Sequence, residues 1–122
     1  MKTQELRRLT RKYYGYVADL EGSDVETFDL LFVRDKIQSI LEQSTPEKTI
    51  PSPLFERIHE LDRLLWEQCN VFLMVVGEKE LQHARRQQGR PRSHWWWYLD
   101  EFKTMPLLKP HNQLAQAFAL AA

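Results

Sequence analysis

Two Glu-x-x-His pairs, Glu56-Arg57-Ile58-His59 and Glu80-Leu81-Gln82-His83, have the spacing with which helical bundles hold a pair of metal ions. That chemistry needs both pairs to project inward from different helices. Glu56, however, falls nearly opposite the Leu54, Ile58 and Leu61 face, where it meets water. If one helix carries both pairs, a rise of about 1.5 Å per residue sets them about 36 Å apart. Two exposed polar pairs are therefore expected, and no other cluster has recognised metal-ligand spacing. Cys69, the only cysteine, lies on an apolar helical face, where a thiol is buried and inert. A catalytic thiol needs a base, and the histidines at 59, 83, 94 and 111 have no spacing that demands one. The glycines at 15, 22, 77 and 89 are isolated, so no phosphate-cradling loop is present. The expectation is a protein that is not an enzyme and carries no cofactor.

The sharper signal is ARRQQGRPRSHWWWYLDEF, residues 84–102, with four arginines and three consecutive tryptophans. On a helix, Trp95, Tyr98, Leu99, Phe102 and Met105 share one face and pack into the core. Successive residues are about 100° apart, so Trp96 falls on the flank and Trp97 almost opposite, beside Asp100. An extended segment instead sends Trp96 the other way from Trp95 and Trp97. Either way at least one indole is expected outside the common core, although burying each is worth about 2–3 kcal/mol. Three covers suit Trp96 and Trp97. The C-terminal tail folds back with Phe118 or Leu114 as lid, or a protein interface covers them, or nucleic-acid bases stack on them.

Within this stretch Gly89, Arg90 and Pro91, followed by Arg92, resemble the core of the AT-hook of minor-groove-binding proteins. The resemblance implies arginines reaching along a narrow A·T groove. It covers about five residues, and Gln88 stands where that family places a further arginine. The ending Ala119-Leu120-Ala121-Ala122 is similar to that of the degradation tag appended in bacterial ribosome rescue, which implies recognition by a ClpX-type unfoldase.

The elements that must position these groups are helical. Leu6, Leu9, Tyr13, Val17 and Leu20 recur at helical spacing and predict a first helix over 3–20, with Arg7, Arg8, Arg11 and Lys12 turned away. Ser23 and Glu26 have the spacing of a capping box opening a second helix over 24–43. That helix has one stripe of Leu30, Val33, Ile37, Ile40 and Leu41, and another of Val25, Phe28 and Phe32 on nearly the opposite side. A helix apolar on two sides must be covered on two sides. It is either the central helix of a bundle or it meets another subunit there.

Residues 44–53 form a linker with three prolines. Ser52-Pro53 then opens a third helix whose face is Leu54, Ile58, Leu61, Leu65, Cys69, Phe72 and Val76. VFLMVV, 71–76, suits a buried strand as well as a helix, but the stripe runs into it, which favours helix. The third helix is expected to continue, kinked or not, through Gly77 to about Gly89. A fourth follows over 94–103, and the tail beyond Pro106 has a short amphipathic stretch.

The whole chain has 122 residues, 43% of them hydrophobic and 28% charged, which suits one soluble domain. Its zero net charge is unevenly placed. Residues 1–13 have five basic side chains and one acidic, residues 14–80 have six and fourteen, and residues 81–94 have four arginines and no acid. The start lacks the apolar core of a signal peptide, and the lone cysteine suits a reducing compartment, so a cytoplasmic protein is expected.

The sequence thus predicts an all-α bundle of about four helices over 1–105, followed by a tail over 106–122 that docks or stays free. The function expected is a non-enzymatic protein–protein interaction module, self-associating or partner-binding. Its surface is expected at Arg85, Arg86, Arg90, Arg92, Trp96 and Trp97, with Phe28 and Phe32 as a second contact. The alternative is a nucleic-acid-binding regulator using the basic patches 7–12 and 85–92.

Overall fold

The computed structural model describes residues 3–22, 24–43 and 50–102. Ser23, expected as a cap, residues 44–49 and the tail from 103 onward, with the expected lid and the Ala-Leu-Ala-Ala ending, lie outside the described residues. What is described is all-helical: α1 (Thr3–Ala18), α2 (Asp24–Glu42), α3 (Ser52–Glu67), α4 (Cys69–Val76), α5 (Glu78–Gln88), a 3₁₀ turn (Trp95–Trp97) and α6 (Leu99–Phe102). The all-α bundle is as expected, but with more and shorter helices than four. The 71–76 run is helix, as its stripe favoured.

The single long helix expected over 52–89 is instead three pieces. Gln68 closes α3, its N–H shared between the Leu64 and Leu65 carbonyls, and its own carbonyl accepts from Phe72 N–H at 3.0 Å. Gly77 separates α4 from α5 at φ 91°, a backbone state that only glycine takes without strain. Gly89 ends α5 at φ 61°. Its N–H donates to Arg86 O at 3.3 Å and Arg90 N–H to Arg85 O at 3.4 Å. This is the Schellman pattern, which satisfies otherwise unpaired carbonyls and turns the chain sharply.

The stripe on α1 buries Leu6, Leu9, Tyr13 and Val17 against α2 and α3. Of the two alternatives for α2, the fold takes the central one. Leu30, Leu31, Val33, Arg34, Ile37 and Ile40 are buried, and α1, α4 and the 3₁₀ turn all lie against this helix. Its second side is met in part from within the chain: Phe32 meets the Trp97 ring edge-on, with centroids 5.3 Å apart. Phe28 is partly buried against the same core. Both phenylalanines, expected as a second contact surface, are partly buried against the core. Among the described residues no helix is long and apolar enough to cross a membrane.

Candidate functional site

The helix expected over 94–103 is not formed as such. His94 N–H donates to Pro91 O, Trp97 N–H to His94 O and Tyr98 N–H to Trp95 O, so the backbone winds in i to i+3 steps. A 3₁₀ turn has about three residues per turn, so its three indoles point about 120° apart. Each meets a different neighbour, and all three are buried: Trp95 is 4% exposed, Trp96 1% and Trp97 0%. The exposure expected of Trp96 or Trp97 is thereby corrected. The inference failed because it assumed one shared core face, whereas the turn lies in a recess with walls on several sides. Trp95 packs on Trp66, with centroids 5.5 Å apart, and stands edge-on to Trp96.

The polar ends of this cluster converge on Asp35. Trp96 Nε1 donates to its Oδ1 at 2.8 Å, and Trp97 Nε1 lies 3.0 and 3.1 Å from its two oxygens. His94 Nδ1 lies 3.0 Å from Oδ1, its ring stacked on Trp96, and the Arg90 guanidinium reaches Oδ2 at 3.2 Å. One carboxylate of α2 thus anchors the whole segment from Arg90 to Trp97. Arg90 also lies over the rings of Phe32 and Trp97, at 5.6 and 5.3 Å.

The preceding residue of α2, Arg34, points into the bundle. It makes a forked pair with Asp62 of α3, with both bonds at 2.9 Å, and Asp62 also accepts from the Tyr13 hydroxyl at 2.6 Å. The guanidinium lies 4.2 Å from the Trp96 ring centroid. Burial, reinforced by the Asp62 charge, holds the Tyr13 hydroxyl well above its ordinary pKa. Burial by itself would lower the Arg34 pKa, but Asp62 outweighs it and raises it. Tyr13 and Arg34 thus keep their protons at neutral pH, and their bonds to Asp62 clamp α1, α2 and α3 together.

The other arginines of the stretch are also mostly engaged. Arg85 donates to Trp97 O at 3.0 Å and Asp100 Oδ1 at 2.7 Å, and it covers the Tyr98 ring at 4.4 Å. Arg92 pairs with Glu101 at 3.4 Å. Arg86 is exposed, its Nε 3.4 Å from the Gln82 carbonyl. Of the residues expected to form the interaction surface, the fold therefore gathers Arg85, Arg90, Trp96, Trp97 and Phe32 into internal contacts. The Gly89-Arg90-Pro91 core that resembles an AT-hook is a helix stop with its arginine turned toward Asp35.

Sequence reasoning missed Asp35, Arg34, Asp62 and Tyr13 as a set. A signal was there: Arg34 falls four residues after Leu30 and three before Ile37, and Asp62 has the same relation to Ile58 and Leu65. Two opposite charges on two apolar stripes invite pairing. For Asp35, pattern reasoning has no such handle, because its partners are about sixty residues away.

A different arrangement lies between α1 and α3. Arg7, Thr10, Arg11 and Tyr14 from α1 and Leu54 and Arg57 from α3 line a cleft of about 190 Å³. Arg7, Arg11 and Arg57 are exposed, and none forms a salt bridge among the described residues. The Arg57 guanidinium lies 4.8 Å from the Tyr14 ring centroid. Tyr14 is 47% exposed; Phe55, 36% exposed and outside the cleft lining, stands edge-on to His59. Burial lowers the His59 pKa. The basic patch at 7–12 is thus divided: Arg8 bonds Glu5 and Lys12 pairs with Asp29 at 3.4 Å, whereas Arg7 and Arg11 face the cleft.

Among the described residues no group of three or more His, Cys, Asp or Glu side chains is placed to hold a metal ion. The site and the fold together define an all-α helical bundle with an internally anchored tryptophan turn and one open arginine-lined cleft. Compared with protein families, with curated proteins and with solved structures, the chain has no match.

Proposed function

We propose that this protein is a non-enzymatic interaction module of the cytoplasm, a small adaptor, assembly factor or regulator, that engages a protein partner through its α1/α3 face. The observation that carries this reading is the cleft lined by Arg7, Arg11, Arg57 and the half-exposed Tyr14, with no carboxylate among the described residues of its lining. Arginine and tyrosine are the residue types that most often dominate binding energy at interfaces. The ring supplies area and the guanidiniums supply orientation. The partner is a second copy of the chain or another protein.

A second reading, a nucleic-acid-binding regulator, draws on the same combination of basic and aromatic side chains. It keeps only part of its expected surface, because Arg85, Arg90 and Arg92 of the 85–92 patch are paired with Asp100, Asp35 and Glu101.

Photo-crosslinking tests both. Tyr14 is replaced by p-benzoylphenylalanine and the cells are irradiated, with the exposed position His83 as control. The expected result is a protein adduct from position 14, absent from position 83 and lost when Arg11→Glu and Arg57→Glu are added. An adduct of twice the chain's mass means self-association, and a nuclease-sensitive adduct moves the conclusion to the second reading. No adduct, or one indifferent to the charge reversals, refutes the α1/α3 face.

A further inference from the structure

The same cleft carries a statement about the partner's chemistry, and it rests on the interaction reading above. We propose that it receives a phosphate monoester on the partner, a phosphorylated serine or threonine side chain. Arg7 and Arg11 are one helical turn apart on α1, so their side chains emerge on the same side. Arg57 comes from α3 and is held over the Tyr14 ring. Three arginines from two helices therefore line one small volume, and among the described residues of that lining none is acidic.

The described residues of the lining offer mainly donors. Thr10 is buried, and its hydroxyl proton is directed to Leu6 O at 2.7 Å. An anion entering the cleft meets arginine N–H groups first. One guanidinium fork satisfies one carboxylate, so three forks exceed what a glutamate or aspartate side chain uses. A phosphate monoester has three terminal oxygens and a charge near −2 at neutral pH, and it can accept from all three. Clusters of arginines are a recurrent solution for phosphorylated motifs.

Size and surroundings argue against a nucleic-acid strand. At about 190 Å³ the cleft admits a single anionic group and is below the roughly 300 Å³ at which pockets for larger ligands begin. A strand needs a basic track on either side. Here the neighbours in sequence, Arg8 and Lys12, are paired with Glu5 and Asp29. Tyr14 and Leu54 instead offer short apolar ground for the residues flanking the modified side chain.

The test uses the full chain with ¹⁵N-labelled arginine. The probes are a capped five-residue peptide of glycine and alanine carrying one phosphoserine, the same peptide with glutamate or unmodified serine in its place, and a twelve-nucleotide oligothymidine. The phosphoserine peptide is expected to give saturable shifts at the side-chain signals of Arg7, Arg11 and Arg57, with affinity at least about tenfold above the glutamate peptide. Arg11→Gln and Arg57→Gln, both at exposed positions, are each expected to weaken it by about tenfold or more. Equal affinity for the glutamate peptide, preference for oligothymidine, or shifts scattered over all arginines overturns the proposal.

Phosphatase treatment of cell extract before irradiation separates this inference from its parent. A position-14 adduct that persists, without phosphoserine preference in the shifts, overturns the phosphate and leaves the interaction face standing. An adduct lost after phosphatase supports both.

Discussion

Replacing Asp35 by alanine removes one carboxylate and leaves two buried indole N–H groups without an acceptor. Trp96 and Trp97 are 1% and 0% exposed, so neither donor regains water while the turn stays in place. A hydrogen bond to a charged acceptor contributes about 1.5–3 kcal/mol, and the two indole bonds together therefore set a loss of about 3–6 kcal/mol. The Asp35 side chain is only 10% exposed, so solvent screening takes little from this figure. The Arg90 and His94 side chains are 23% and 18% exposed and recover part of their hydration, so their bonds add less. Set against a typical total of about 5–15 kcal/mol, this loss lowers the melting temperature by about 10–20 °C. The assay is urea unfolding followed by tryptophan emission, with Glu5→Gln as control because the Glu5–Arg8 pair is exposed and contributes little. A red shift of the native emission is expected as well, since the turn loses its anchor. A loss below about 1 kcal/mol with unchanged native emission would refute the view that Asp35 holds the tryptophan turn.

Two further outcomes follow from the buried ion pair. Asp62→Ala leaves Arg34 buried without its partner and is expected to cost about 3–5 kcal/mol, whereas Arg34→Met combined with Asp62→Leu recovers most of that loss in the same unfolding assay. The folded state holds the Tyr13 proton more tightly than the unfolded chain does, because burial and Asp62 raise its pKa. This contribution is complete below the unfolded value of about 10 and is lost as pH rises from there toward the folded value. Urea midpoints between pH 8 and 11 should therefore fall at the alkaline end, and Tyr13→Phe should flatten that fall.

Particular residues show where the sequence was enough. The stripes Leu6-Leu9-Tyr13-Val17 and Ile58-Leu61-Leu65 define α1 and α3, because helical period is a local property that the chain carries in its own order. The same local logic ended α5 at Gly89 and identified α2 as a helix needing cover on two sides. It did not predict the break at Gly77, because a glycine inside a helical pattern is tolerated as often as it interrupts. The tryptophans show the limit. Reading Trp95–Trp97 against an α-helix turned one indole to solvent, whereas the 3₁₀ winding spreads them among α2, α3 and their own neighbours.

Sequence alone determined that this protein is helical, where its apolar faces lie and that its arginines and aromatics are its distinctive chemistry. Only the tertiary structure decided which of those arginines remain open. Asp35 lies about sixty residues from His94, Trp96 and Trp97, and Asp62 is 28 residues from Arg34. Such pairings leave no period in the sequence. The packing of α2 against the tryptophan turn engages Arg90, the Schellman stop at Gly89 directs the chain back toward α2, and the approach of α3 to α1 gathers Arg7, Arg11 and Arg57 around one cleft. Charge and aromaticity are carried by composition, but whether they face inward or outward is set by which distant acceptor the fold brings within hydrogen-bond reach.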